Sequence, residues 1–244
     1  MKIALQLYTL RDLCKKDFLR TLAEVAALGY EGVEFAGFFD VSANELREKL
    51  DELNLIALAS HTPLVELINN IDSVMDYNRV IGNSNIVCPH TIWDSDEEFY
   101  DICKELIKAE KILSANGFTL LYHNHDHEFM KLKDSYYLDE YYKTVDQMKM
   151  ELDTYWVSVA GLGIISYMRK HKDILELVHV KDLQVTDETN RPSALGLGVL
   201  PIESIVNESE ELGLQWIIVE NDYPGEDSIK DVKISIDYLR KCLL

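Results

Sequence analysis

The sequence predicts an α/β fold, a single closed (β/α)₈ barrel over residues 1–244. Eight short apolar runs alternate with amphipathic helical patterns, one unit about every 30 residues, as expected of repeated β/α units. The length of 244 residues suits one barrel, which typically takes about 250. A doubly wound open sheet is the alternative, but it would carry a Gly-rich phosphate loop after the first strand, where this chain has Tyr8-Thr9-Leu10-Arg11.

The predicted strands are short runs rich in Val, Ile and Leu. Such runs are typical of parallel strands that are buried on both faces of the sheet. In chain order they are Ile3–Leu7, Gly32–Phe35, Leu55–Ala59, Asn85–Val87, Thr119–His123, Met148–Leu152, Leu175–Val180 and Trp216–Val219.

Several of the intervening helices have clear start signals. Ser42 and Ser95 each stand three residues before a glutamate, which is the capping-box pattern. Pro201 marks the first turn of another helix, and Ser228 begins the last one. These signals place helices between the strands, as the barrel requires.

The charge and cysteine content narrow the function classes. The formal net charge of −19 argues against a nucleic-acid backbone or an anionic membrane as partner. The four cysteines are scattered without a C-x-x-C pair, so we expect reduced thiols. No leader-like or membrane-spanning run precedes the first strand, and the cytoplasm is therefore the expected location.

The stretch Leu120–Phe129 carries the densest group of ligand-type side chains. It opens as an apolar strand and continues as His123-Asn124-His125-Asp126-His127-Glu128. His123 and His125 alternate with the apolar Leu121 on one strand face, so an exposed polar turn explains them poorly. Burying such groups costs free energy unless they bind something.

Other strand ends repeat this chemistry, and the carboxyl ends of parallel barrel strands meet at one mouth. Converging carboxylates and imidazoles would repel and desolvate one another unless a divalent cation compensates the charge. Mixed Glu, Asp and His ligands favour Mn²⁺, with Co²⁺, Mg²⁺, Fe²⁺ and Zn²⁺ as alternatives. The polar residues at the remaining strand ends are Glu34, His61, His90, Asp153, His179, Lys181 and Glu220.

At these residues the chain resembles the xylose isomerase-like TIM barrels, in particular the sugar phosphate isomerase/epimerase group with its inosose dehydratases and ketose epimerases. The resemblance extends over almost the whole chain. It rests on Gln6–Arg11, Gly29–Glu34, Tyr122–His125 with Glu128-Phe129, Asp153–Trp156 with Ala160-Gly161, Val178–Asp182, Gly196–Gly198 and Val219-Glu220.

The resemblance implies one divalent metal ion held by side chains of strands five to eight. Asp153, His179 and Glu220 match three of the family's ligand positions. The family's first ligand is a glutamate of the fifth strand, and Glu128 is the nearest match, with His125 as the substitute. The resemblance also implies that such barrels often associate, so a homo-oligomer is expected.

Two reactions remain open for this site. The first is isomerisation or epimerisation of a keto-sugar or related polyol, with Glu128 and Glu220 moving the proton through a metal-stabilised enediolate. The second is a lyase reaction on the same scaffold, an inosose-type dehydration or elimination from a 3-keto-glycoside, with His125 as the acid. The substrate would be a small sugar, and its expected binding residues are Arg11, His61, His125, Trp156 and Lys181.

Two further hypotheses about the function are less favoured. An abasic-site endonuclease, a distant relative, would carry three zinc ions and a basic groove, which the net charge opposes. A non-enzymatic sugar-binding barrel would bind no metal.

Overall fold

Eight parallel strands close into a barrel in the computed structural model, which describes residues 1–186 and 190–243. Each strand pairs with the next along the chain, and the last pairs with the first, where Val219 lies opposite Leu5. The strands are β1 Lys2–Gln6, β2 Gly32–Phe35, β3 Ile56–His61, β4 Asn85–Cys88, β5 Thr119–His123, β6 Lys149–Asp153, β7 Leu175–Val180 and β8 Trp216–Val219.

The barrel prediction is therefore confirmed and the open-sheet alternative is excluded. The predicted bounds agree with the structure for β2, β5, β7 and β8 and shift by one or two residues for the other strands. The four helix start signals are also matched. The side chains of Ser42 and Ser95 accept hydrogen bonds from the backbone N–H three residues later, as a capping residue does.

The helices surround the barrel. They are α1 Arg11–Lys16, α2 Phe18–Leu28, α3 Ala43–Leu53, α4 Leu64–Asn69, α5 Ile71–Ile81, α6 Asp96–Ala115, α7 Tyr137–Thr144, α8 Thr154–Val159, α9 Ile164–Lys170, α10 Ile202–Glu211 and α11 Ser228–Cys242, with 3₁₀ turns at Leu7–Leu10 and His127–Phe129. None of the helices within the described residues has the length and apolar character needed to cross a membrane.

Two short antiparallel hairpins, which the sequence did not predict, extend the loops after β5 and β7. The first pairs Lys131–Leu132 with Ser135–Tyr136, and the second pairs Asp182–Val185 with Asn190–Ser193. Both lie at the carboxyl ends of the strands, so they enlarge the end of the barrel where the polar residues gather.

Successive side chains of each strand point to opposite faces of the sheet, and the buried apolar residues therefore form two layers. The larger layer fills the space between strands and helices, and Tyr122 of β5 belongs to it. The smaller layer lies on the barrel axis and is formed by Ala4, Leu58, Ala59, Val87, Leu121, Leu177 and Ile218. Polar and charged side chains continue this axial layer toward the carboxyl ends of the strands, so the fold itself concentrates them there.

Candidate metal centre

Four side chains at the ends of consecutive strands form a compact ligand group. His123 ends β5, Asp153 ends β6, His179 lies in β7 and Glu220 follows β8. Each contributes one donor atom, and these four atoms lie within 4.8 Å of one another. All four residues are buried, with Glu220 at 4% the most exposed.

Asp153 is oriented by the helix that follows it. Its Oδ1 atom accepts hydrogen bonds from the backbone N–H groups of Tyr155 (2.9 Å) and Trp156 (3.3 Å), which makes Asp153 the N-cap of α8. The other oxygen, Oδ2, lies 3.3 Å from Nε2 of His123. One carboxylate thus caps a helix and offers its second oxygen to the ligand group.

His179 is held between carboxylates on both sides of its ring. Its Nδ1 atom lies 2.8 Å from Oε2 of Glu220, inside the ligand group. Its Nε2 atom lies 2.6 Å from Oε2 of Glu34 and 3.3 Å from Oε2 of Glu151. Glu34 and Glu151 therefore fix the ring from the side away from the ligand group.

Glu34 and Glu151 form a second buried cluster with His61. The Nε2 atom of His61 lies 2.9 Å from Oε2 of Glu151 and 3.4 Å from Oε1 of Glu34. The strand register shifts at both glutamates, between Val33 and Glu34 and between Met150 and Glu151. Such irregularities re-aim side chains next to functional sites, and here they occur where the two carboxylates meet.

The carboxylates and cationic groups in and beside the two clusters shift one another's pKa values. Burial raises the pKa of Asp153, but the Lys181 ammonium and His123 outweigh it and bring the pKa to about 2. Burial likewise opposes ionisation of Glu220, yet Lys181 and His179 hold its pKa well below the usual range. For His179 burial lowers the pKa, but Glu151 and Glu34 raise it well above that of free imidazole. Without a metal ion, His179 is therefore an imidazolium.

A cavity of about 610 Å³ opens above the ligand group. His123 and Glu220 of the ligand group line it directly, so a bound ion and a small molecule in the cavity would be neighbours. The other lining residues are Tyr8, Arg11, Ala36, Gly37, His61, Pro63, Pro89, His90, His125, Trp156, Asp222 and Tyr223.

Among the described residues, Glu128 does not join either buried cluster. Its Oε1 atom accepts a hydrogen bond from the Tyr122 hydroxyl (2.8 Å), and its Oε2 atom accepts one from the backbone N–H of His125 (2.8 Å). Tyr122 points from β5 toward the helices, whereas His123 points toward the barrel axis. Glu128 thus forms its hydrogen bonds on the helix side of β5 and lies outside the ligand group, whose member from β5 is His123.

The predicted substrate-binding residues fall into two groups. Arg11, His61, His125 and Trp156 line the cavity as expected of such residues. Lys181 has no exposed surface and is not part of the cavity lining. The Arg11 guanidinium donates hydrogen bonds to the backbone carbonyls of Tyr8 (2.9 Å) and Asp222 (3.0 Å). It therefore also connects the loop after β8 to the 3₁₀ turn after β1.

The donor set suits a divalent transition metal. Two imidazole nitrogens and two carboxylate oxygens, buried and close together, match Mn²⁺, Fe²⁺, Co²⁺ or Zn²⁺ better than Mg²⁺, which prefers oxygen ligands alone. The hydrogen bond network around His179 supplies the outer support that metal-binding histidines usually have. The residues present therefore fit the metal that the sequence led us to expect.

The chain is thus a closed α/β barrel whose cavity and possible metal ligands lie at the carboxyl ends of its strands, where barrel enzymes have their active sites. The family described as xylose isomerase-like TIM barrel matches residues 22–242, and the chain belongs to this family. The family and its structural neighbours are enzymes. Comparison with curated proteins gives no match.

Solved structures with the same barrel carry names of several activities. A sugar phosphate isomerase/epimerase from Parabacteroides distasonis superposes with a TM-score of 0.83 at 21% identity, over 98% of this chain and 93% of that chain. The IOLI protein with a bound zinc atom superposes with a TM-score of 0.77 at 16% identity, over 100% and 98% of the two chains. The probable 3-DHS dehydratase AsbF of petrobactin synthesis from Bacillus anthracis gives 0.76 at 13% identity, over 98% and 99%. At such low identities these likenesses establish the fold alone.

Proposed function

We propose that this chain is a divalent-metal-dependent isomerase or epimerase of a keto-sugar or a related polyol. One observation carries the proposal: the group of His123, Asp153, His179 and Glu220 lies at the base of a cavity large enough for a small sugar. The family and the isomerase/epimerase neighbour support the same reaction type. We place His123 in the ligand set where the sequence suggested Glu128.

A divalent ion at this site would act as a Lewis acid toward the carbonyl and hydroxyl oxygens of a bound keto-sugar. Glu220 lines the cavity and is ionised at neutral pH, so it is the group we assign to accept the proton next to the carbonyl. Trp156 and Tyr8 supply flat apolar surface against which a sugar ring can pack.

His61 and His125 line the same cavity, but their surroundings shift their pKa values in opposite directions. Burial lowers the pKa of His61, but Glu34 and Glu151 outweigh it and raise the pKa above that of free imidazole. Burial, with His123 and Lys181, lowers the pKa of His125 to about 2 and keeps that ring neutral. We therefore assign His61, which holds a proton more strongly than His125 does, as the group that can return a proton in place of Glu128, and His125 as a hydrogen-bonding group for hydroxyls.

The second candidate is the lyase reaction, dehydration or elimination after the same proton abstraction. The dehydratase neighbour and the histidine-rich cavity wall favour it. In this reaction the sequence predicted His125 as the acid that protonates the departing hydroxyl group. A ring that stays neutral near pH 7 lacks that proton, which is why we rank isomerisation or epimerisation first.

The first test is the metal content of the purified protein. We expect about one divalent ion per chain after supply of Mn²⁺, and loss of the ion in Asp153→Ala and Glu220→Ala. Asp101→Ala, at an exposed aspartate of α6, is the matched control and should retain the ion. A wild-type protein that binds no divalent ion would overturn the proposed function.

The second test separates the two reactions. A panel of keto-sugars is incubated with the Mn²⁺-loaded protein in D₂O, and the products are analysed by NMR. Isomerisation or epimerisation is supported by a product that has the composition of the substrate except for deuterium at the carbon next to the carbonyl. A product that has lost water, or a released aglycone, supports the lyase reaction instead.

A further inference from the structure

Lys181 lies immediately after β7 and is enclosed by three carboxylates. Its Nζ atom is 2.8 Å from Oδ2 of Asp153, 2.8 Å from Oε2 of Glu220 and 2.7 Å from Oδ2 of Asp222. The lysine side chain has no exposed surface, so these contacts are not screened by water. A buried ammonium with three anionic partners is a built feature of this site and not a surface ion pair.

The ammonium contacts the oxygens that face the ligand group. Oδ2 of Asp153 is the oxygen next to His123, since Oδ1 caps α8. Oε2 of Glu220 is the oxygen next to Nδ1 of His179 and thus already has two cationic neighbours. A metal ion that takes these oxygens must compete with Lys181 for them.

Asp222 is the one of these three partners of Lys181 that lies outside the ligand group. Its carboxylate accepts a hydrogen bond from Nζ, lines the cavity and is not part of the ligand group. Lys181 can therefore give up two carboxylates without leaving its charge buried and unpaired, which would be costly.

We propose that Lys181 is an internal counter-cation of the metal site, which neutralises Asp153 and Glu220 before an ion binds and stays paired with Asp222 alone when the ion takes their oxygens. The inference rests on the proposed metal site but concerns its regulation. It means that the lysine lowers the affinity for metal and that metal loading pairs Lys181 with Asp222 at the cavity wall.

The test is the affinity for Mn²⁺ in the absence of any substrate, measured by calorimetric titration of wild type and Lys181→Met. Removing a neighbouring positive charge should tighten Mn²⁺ binding at least about tenfold. The metal-free variant should melt at a lower temperature than metal-free wild type, because two buried carboxylates have lost their counter-ion. Lys143→Met, at an exposed lysine of α7, is the control and should leave the affinity unchanged.

Asp222→Asn provides a second, independent arm. This residue is partly exposed, so the variant should fold. It should weaken Mn²⁺ binding in wild type, because the displaced ammonium has lost its partner, and should do so much less in a Lys181→Met background. Equal effects of Asp222→Asn in both backgrounds would show that the two residues are not coupled and would contradict the proposal.

A structure of the wild-type protein with Mn²⁺ bound tests the proposed position of Lys181 even if Lys181→Met does not fold. We expect Nζ of Lys181 to have left the Asp153 and Glu220 oxygens and to remain on Asp222. An unmoved lysine, or a Lys181→Met variant that binds Mn²⁺ more weakly than wild type, would overturn the inference. If wild type binds no metal at all, the proposed function fails first, and that outcome is distinct from both.

Discussion

The Nε2 atom of His179 lies 2.6 Å from Oε2 of Glu34, although the two residues are 145 positions apart in the chain. The contact crosses the barrel and leaves Nδ1 of the same ring directed at Glu220. A carboxylate that accepts the N–H of a metal-binding histidine fixes the ring orientation and the nitrogen that binds the metal. In the proposed metal site, Glu34 is therefore a positioning residue for His179.

This relationship predicts that Glu34→Gln weakens metal binding about 10- to 100-fold without unfolding the protein. The neutral amide is a weaker acceptor for the Nε2–H group, so the ring is held less firmly in the orientation and tautomer that direct Nδ1 at the metal. The measurement is a Mn²⁺ titration, with circular dichroism to confirm the fold. Glu110→Gln, at a buried glutamate of α6 outside both clusters, is the matched control. An unchanged affinity in Glu34→Gln would mean that another group fixes the ring.

The ligand of the fifth strand gives the second prediction. His123→Ala should abolish binding of Mn²⁺, since it removes a donor of the ligand group. Glu128→Gln should retain one ion per chain but unfold more easily, because its buried carboxylate accepts hydrogen bonds from Tyr122 and from the backbone of His125. Metal analysis and urea unfolding of both variants provide the comparison. Retention of the ion in His123→Ala, together with its loss in Glu128→Gln, would restore the assignment made from the sequence.

The sequence predicted the barrel and most of its strand bounds because the information is local. Short apolar runs and helix caps depend on residues a few positions apart, and Asp153, His179 and Glu220 simply follow such runs. His123 was also accessible in principle, since it alternates with Leu121 on the axial face of β5. The resemblance implies a glutamate ligand from the fifth strand, and the sequence therefore predicted Glu128.

The buried contacts around His179 and Lys181 could not be predicted from the local sequence pattern. Glu151 is a charged residue in an apolar strand, two positions before Asp153, but its partners His61 and His179 come from strands β3 and β7. The burial of Lys181 depends on Asp153, Glu220 and Asp222 together. Such contacts exist only once the barrel has closed, so their distances follow from tertiary structure.

The neutral state of His125 predicts a pH dependence of stability. Its pKa is about 2 in the folded protein and about 6.5 in an unfolded chain, so below pH 6.5 the unfolded chain binds a proton that the folded one does not. The free energy of unfolding should therefore fall with decreasing pH, by about 1.4 kcal/mol per pH unit from this residue alone. Other groups titrate in the same range, so the contribution is isolated by comparison with His125→Gln.

The difference in unfolding free energy between wild type and His125→Gln is measured by urea denaturation of the metal-free proteins between pH 8 and pH 5. Above pH 7 the difference should be constant. Below about pH 6 it should change in favour of the variant, which carries no titrating group there. A difference that stays constant over the whole range would show that the imidazole at position 125 is protonated normally.

The last prediction concerns Asp182, which organises the loop after β7. Its buried carboxylate accepts hydrogen bonds from the backbone N–H groups of Leu183, Gly196, Gly198 and Leu200, at 2.8 to 3.0 Å. The approach is so close that a Cβ atom at position 198 would lie 2.3 Å from Oδ1 of Asp182 and 2.5 Å from the carbonyl oxygen of residue 183. The glycine at position 198 is thus explained by its close contact with this carboxylate, whereas Gly196 has a positive φ of 83° and Tyr238 lies where its Cβ atom would be.

Asp182→Ala should lower the free energy of unfolding by about 2–4 kcal/mol, because several charge-assisted hydrogen bonds are lost at once. It should also speed amide hydrogen exchange at residues 196 and 198, which are then free to exchange with solvent. Asp227→Ala removes the N-cap of α11 and is the comparison variant, with an expected loss of about 1 kcal/mol in the free energy of unfolding. If Asp182→Ala costs no more than Asp227→Ala, the carboxylate does not hold the loop, and the conformation of residues 194–200 must be set by their packing against α11.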